Sequence, residues 1–259
     1  MNEVAYNLRP VWDALLNIYT EFAKICDRHH LRYYVTGGTL LGAVRHDGFI
    51  PWDDDFDVVM PRPDFQKFVS LAAEMPKGLW LSYGELNPDL PIDFAQLYEG
   101  RQEVNDRVRT MSHLDIKWGV YIDVIPIDGM PCAFVPFYWW AFKRSLWRRA
   151  IHGGGIVWRM LARMLGLKFN GREGRVAFAQ WLASYDYETS PCVEDYNANK
   201  RRFKARALSA QSFGEPIMHR FDSISVPLPH EWDKFLRLIF GNYMVLPPPE
   251  KRVPSHNVL

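Results

Sequence analysis

Apolar residues recur at helical spacing over positions 8–28. Leu8, Val11, Trp12, Leu15, Leu16, Ile18, Tyr19, Phe22, Ile25 and Cys26 are separated there by Asp13, Asn17, Glu21 and Lys24. The spacing predicts an amphipathic helix, with His29 and His30 as structural residues at its C-terminal end, where cations suit the helix dipole. Residues 32–36 are aromatic and β-branched and predict a strand. Gly37-Gly38 breaks the chain, and residues 39–45 read as a short helix. A polar loop with Pro51 leads into residues 55–60, whose alternation predicts a second strand with Asp55 and Asp57 on one face and Phe56, Val58 and Met60 on the other. Pro61-Arg62-Pro63 stops that strand, and Asp64 opens a predicted helix over 65–73. Further short strands are expected at 79–83, 94–97 and 120–125, helical rhythm over 171–187 and 230–240, and a β-like Ile224-Ser225-Val226 before a proline-broken turn.

The polar residues in this pattern suggest chemistry. Asp53, Asp54, Asp55 and Asp57 lie within five positions, and two neighbouring carboxylates repel unless a cation lies between them. Ligands that are all oxygen suit a hard ion, Mg²⁺ before Ca²⁺ or Mn²⁺. The strand–Gly–Gly–helix turn just upstream offers free backbone N–H groups to an anion such as a phosphate. Together these features point to metal-assisted phosphoryl or nucleotidyl transfer. The competing reading is a solvated acidic turn, which the flanking Trp52 and the apolar run 56–60 oppose. An EF-hand is excluded, because its required Gly would fall on Val58 and its bidentate Glu on Asp64. The glycines fit neither the P-loop nor the dinucleotide-binding pattern. Asp123 is an isolated carboxylate in a buried-looking strand, so it calls for a metal, a hydrogen bond or an arginine partner. Asp128, before Gly129, reads as a turn residue.

Charge and composition refine the picture. The 259 residues carry a net charge of +1 with 48% hydrophobic content, an ordinary globular balance that favours no particular partner. Positions 132–175 differ, with nine basic residues, one acidic residue (Glu173) and eight of the aromatics Phe, Tyr and Trp between Phe134 and Trp158. Two readings compete for residues 134–163. One is peripheral membrane contact or a surface for an anionic acceptor, and the other is a helical subdomain with its aromatics packed inward. Arg101, Arg107, Arg109 and Lys117 fall in a polar stretch, 100–117, that could cover a phosphate site, and a second basic cluster lies at 199–206. No motif supports nucleic-acid binding. Cys26, Cys132 and Cys192 form no CxxC pair, which predicts a reduced, cytoplasmic protein without zinc, peripheral at the inner membrane face if the membrane reading holds. The N-terminal stretch shows no signal-peptide pattern, and no apolar run is long enough to span a bilayer.

The string GGTLLGAVRHDGFIPWDDDFDVVMPRPDF, with GVYIDVIPIDGMP at 119–131 and ISVPLPHEWDKFLRLIFGNYMVLPPPEKR at 224–252, resembles the LicD family of phosphocholine and polyol-phosphate transferases, relatives of the fukutin-related proteins. The resemblance implies an α+β architecture: a small mixed nucleotidyltransferase-like sheet flanked by helices, with a largely helical insertion. It divides the chain into a catalytic core at 1–131, an insertion at 132–215 and a C-terminal segment at 216–259 that packs back on the core. It implies that Asp55, Asp57 and Asp123 bind Mg²⁺ (or Mn²⁺) and that Asp123 also serves as a base. Gly37, Gly38 and Thr39 would then position phosphates, with Arg45 as a charge clamp, Asp53 and Asp54 shaping the loop, and His256 near the site. The implied reaction moves a phospho-alcohol, phosphocholine from CDP-choline or the group of another CDP-alcohol, to a glycan or lipid-linked glycan hydroxyl. Strict nucleotidyl transfer from an NTP and a non-catalytic binding module stand as the alternatives.

Overall fold

The computed structural model describes residues 7–83, 93–99, 120–194 and 208–254. The long N-terminal periodicity becomes helix α1 (Arg9–His29), opened by Pro10 in its first turn and closed by His30 in the left-handed region, at φ 55°. Its apolar stripe, Leu15, Ile18, Tyr19, Phe22 and Ile25, is buried. His29 bonds Glu74 at 2.9 Å, and the carbonyl of His29 accepts from Lys67 at 2.8 Å, which bears out a structural role for that histidine. The chain then runs through β1 (Tyr34–Val35), α2 (Gly37–His46), β2 (Asp57–Pro61), α3 (Arg62–Ser70), β3 (Leu79–Ser82), β4 (Ala95–Glu99) and β5 (Tyr121–Met130).

The main sheet has the order β1-β2-β5-β4-β3 and is mixed: β2 and β5 are parallel, and the other pairs in this path are antiparallel. With helices flanking it, this is the small α+β sheet that the family resemblance implied. β5 is longer than the sequence suggested. Its first half pairs with β4, and its last three residues pair with β6 (Cys192–Glu194). Between these strands come α4 (Phe134–Ile151), α5 (Ile156–Met164) and α6 (Gly171–Ala183). They enclose a second apolar cluster around Phe137, Trp140, Trp147, Phe178 and Leu182.

β5 carries two departures from the sequence reading. Asp128 is not in a turn. It is buried within β5, where both its oxygens accept from Arg62 at 2.6 Å. A short Asp-Gly pair reads as a turn, but here Gly129 stays extended because the 185–190 turn lies against it. An added Cβ would meet the Asp186 carbonyl at 2.5 Å. The second departure concerns the cysteines. Cys132 and Cys192 form a disulfide with their Cα atoms 5.6 Å apart, so the cysteine argument for a reducing compartment falls away. The pair was hidden by a sequence separation of 60, and it forms because β6 returns beside the end of β5. Only Cys26 is free, and it is buried.

The C-terminal part supplies α7 (Ala210–Phe213), the hairpin β7 (Ile217–Phe221) and β8 (Ile224–Leu228), and α8 (Trp232–Phe240). Phe221 packs on Phe49 and Phe56, and Asp222 pairs with Arg9 at 2.7 Å. The hairpin is therefore fastened to the loop that carries the clustered aspartates.

Candidate active site

The site starts from register. Asp57, the first residue of β2, lies opposite Asp123 on parallel β5. Neighbouring strands are about 4.8 Å apart, and laterally paired residues share a face, so the two carboxylates sit side by side. Both ends of the arrangement are held by the backbone. The N–H of Asp57 donates to Thr39 Oγ1 at 2.8 Å, the Asp57 carbonyl accepts from Thr36 at 3.2 Å, and the Asp123 N–H donates to the Phe56 carbonyl at 3.0 Å. β2 begins at Asp57 rather than at Asp55. Asp55 thus stands just outside the strand, although the bond to Phe56 continues the ladder to that point.

The turn before α2 comes against the same loop. Gly37 has φ 56°, a left-handed value that a side chain would strain. At Gly38, an added Cβ would lie 2.5 Å from Asp53 Oδ2 and 3.6 Å from Asp55 Oδ1. The N-terminal turn of α2 and the acidic loop are therefore in contact, with the positive end of the helix dipole beside carboxylates. The anion nearest that turn is the chain's own Asp53. A Gly38→Ala replacement pushes the Asp53 carboxylate away from the turn. It is expected to lower turnover roughly 10²-fold, since small misplacements at a reacting centre cost that much. Alanine is itself the better helix former, so thermal melting should hardly move. A variant that keeps full turnover would show that the close approach has no catalytic use.

Asp123 is oriented from the other side. Gln96, buried on β4, donates to Asp123 Oδ1 at 2.9 Å, and Tyr98 donates its hydroxyl to Gln96 Oε1. The Tyr121 phenol is pushed well above its ordinary pKa, first by burial and then by the charges of Asp123, Asp55, Asp54 and Asp57. All four carboxylates therefore act on one point, and this concentration of negative charge suits a hard cation. Among the described residues no three His, Cys, Asp or Glu side chains already converge as a ligand cluster. The oxygen donors are of the kind Mg²⁺ takes, and the in-register pair of Asp57 and Asp123 places two of them side by side.

The other expected residues take different places. The Thr39 side chain is buried and accepts from the backbone of Asp57. Arg45, at the far end of α2, donates to the Tyr243 carbonyl at 2.8 Å and to His46 at 2.9 Å, tying the helix to the C-terminal segment. Asp54 is buried, and the backbone of Asp53 is fastened by Trp12 Nε1 at 2.8 Å and by a turn to Ile50. These contacts agree with a loop-shaping role for the first two aspartates. Arg101, Arg107, Arg109, Lys117, the cluster at 199–206 and His256 lie outside the described residues.

Comparison with known proteins bears on the same elements. The signature of the LicD/FKTN/FKRP nucleotidyltransferase domain matches residues 30–87, the segment that carries β1, α2, the acidic loop and β2. The lipopolysaccharide cholinephosphotransferase LicD of Haemophilus influenzae is 26% identical over 256 residues, covering 93% of this chain and 92% of that protein. The chain is similar to the LicD family in this segment and to one of its transferases over nearly its whole length. Uncharacterised proteins of Rickettsia prowazekii and Rickettsia typhi are each 37% identical over 51 residues, 20% of this chain and under a fifth of theirs.

The LicD signature ends before β4 and β5, so it contains neither Asp123 nor the residues that orient it. Gln96, Tyr98 and Tyr121 were missed by sequence reasoning. Gln96 left one signal, as the only amide in an otherwise buried strand, AQLYE.

Proposed function

We propose that this chain transfers phosphocholine from CDP-choline to a hydroxyl of a lipopolysaccharide-type glycan. The in-register pair of Asp57 and Asp123, beside the N-terminal turn of α2, carries the reading. The full-length similarity to a lipopolysaccharide cholinephosphotransferase supports the choice of donor group and acceptor class. Asp55, Asp57 and Asp123 would hold Mg²⁺ or Mn²⁺, which when bound neutralises the donor's diphosphate. Asp123, turned by Gln96, takes the proton from the attacking sugar hydroxyl. The sugar oxygen bonds to the phosphorus nearest choline, the bond from that phosphorus to the bridging oxygen breaks, and CMP leaves. The N-terminal turn of α2 at Gly37 and Gly38 is assigned to the donor's phosphates, beside the Asp53 carboxylate that borders it. Thr39 and Arg45 are assigned to positioning instead, the first on Asp57 and the second on the C-terminal segment.

Phosphorus NMR of the purified protein with CDP-choline, Mg²⁺ and lipopolysaccharide tests this reading. CMP should accumulate only when acceptor is present, and EDTA should stop it. CDP-choline that stays intact, or pyrophosphate released from an NTP, would overturn it in favour of another donor.

A further inference from the structure

Helices α4 and α5 settle a question about their aromatics in an uneven way. One face of α4 packs Phe137, Trp140 and Trp147 into the second apolar cluster. The other presents Phe134, Val135, Tyr138, Trp139 and Phe142 to solvent, with Val135 74% and Trp139 56% exposed. These positions span one continuous arc over two turns, and among the described residues the exposed rings stack on one another or on the helix's own residues, Phe134 on Tyr138 at 4.6 Å and Trp139 beside Phe142 at 5.8 Å. α5 repeats the pattern with Ile156, Val157, Met160 and Met164, the last 80% exposed. The two helices pack against each other. Together they display an apolar face larger than scattered surface residues would make.

The charges around this face identify what it meets. No Asp or Glu occurs between Asp128 and Glu173. Arg144 and Arg148 are engaged with Glu194 and Asp93, which removes two of the basic residues that the sequence offered for contact. Arg149, Arg159 and Arg163 are exposed. Arg149 lies over Trp158 at 4.3 Å, and Arg159 and Arg163 border the apolar arc of α5 on one side. Pairing this face with a second copy would bring like charges together. An anionic, apolar surface complements both features. Among the described residues no helix is long and apolar enough to cross a membrane, so the geometry is that of helices lying in an interface.

We propose that the exposed faces of α4 and α5 dock on an anionic lipid bilayer, with Trp139, Val157 and Met160 inserted and Arg149, Arg159 and Arg163 at the headgroups. This surface is independent of the donor and of the reaction. Co-sedimentation of the intact protein with vesicles of equal parts phosphatidylglycerol and phosphatidylcholine tests it, with pure phosphatidylcholine as control. The wild type should pellet with the anionic vesicles and should be released by high salt. Arg159→Gln with Arg163→Gln should weaken binding roughly thirty-fold. Trp139→Ser with Met160→Ser should weaken it by about tenfold or more. Circular dichroism melting should be unchanged for both, because all four side chains are exposed. Three outcomes would overturn the proposal: no pelleting, pelleting that ignores the Trp139/Met160 replacement, or a dimer in sedimentation velocity that this replacement abolishes.

Discussion

Asp57→Ala is expected to reduce phosphocholine transfer on the order of 10³-fold or more, while the fold persists. A metal clamp on a developing phosphate charge is worth several kcal/mol, and each decade of rate corresponds to about 1.4 kcal/mol. The effect on stability should have the opposite sign. Asp57 stands beside Asp123 in register, so without metal its removal relieves a like-charge contact. Melting of the variant in EDTA should therefore match or exceed that of wild type, whereas the stabilisation that wild type gains on adding Mg²⁺ should vanish. Turnover and Mg²⁺-linked melting together check the assignment. Loss of turnover with Mg²⁺ stabilisation intact would place the metal elsewhere.

The largest stability effect is expected at Arg62. Its guanidinium is buried, bonds both oxygens of Asp128 at 2.6 Å and sits 5.3 Å from the Phe65 ring. Arg62→Ala leaves a buried carboxylate without its partner and is expected to cost about 3–5 kcal/mol. Replacing both members with apolar residues of similar volume, Arg62→Met with Asp128→Leu, should recover most of that loss, because two desolvated charges are removed together. Denaturant melts of the three proteins check this. A single variant within 1 kcal/mol of wild type, on the order of an ordinary surface change, would mean that water reaches the pair.

The resemblance to LicD and the local pattern together made the catalytic segment legible, and each did so for a physical reason. Helices α1 and α2 and strand β2 are short-range features, written in apolar spacing and in the Gly37-Gly38 break, and their bounds fall within a few residues of expectation. The side-by-side placement of Asp57 and Asp123 is different. Nothing local says that β2 and β5 run parallel, so that pairing came only through resemblance. Gln96 and Tyr98 were invisible because a hydrogen-bond relay across strands leaves no spacing rule. Asp128 was misread for the opposite reason: the local Asp-Gly signal is strong, but a buried arginine 66 positions away overrides it. The same holds for Cys132 and Cys192, whose meeting depends on the return of β6. The basic-aromatic segment supported two readings in sequence; the structure bears out the helical subdomain for the face that packs inward and leaves the other face of α4 exposed.

The neck formed by Cys132 and Cys192 has an evolutionary consequence. The chain leaves the end of β5 and rejoins the sheet opposite Met130, at Cα positions 5.6 Å apart. The exit lies seven residues from Asp123 along the strand, about 23 Å. Helices α4 to α6 hang from that neck around their own apolar cluster, so their lengths and exposed faces can vary without changing the register that sets Asp57 against Asp123, provided the 185–190 turn that packs on Gly129 is kept. Variation confined to these helices changes the exposed surface of the protein and leaves the pairing of Asp57 with Asp123 in place.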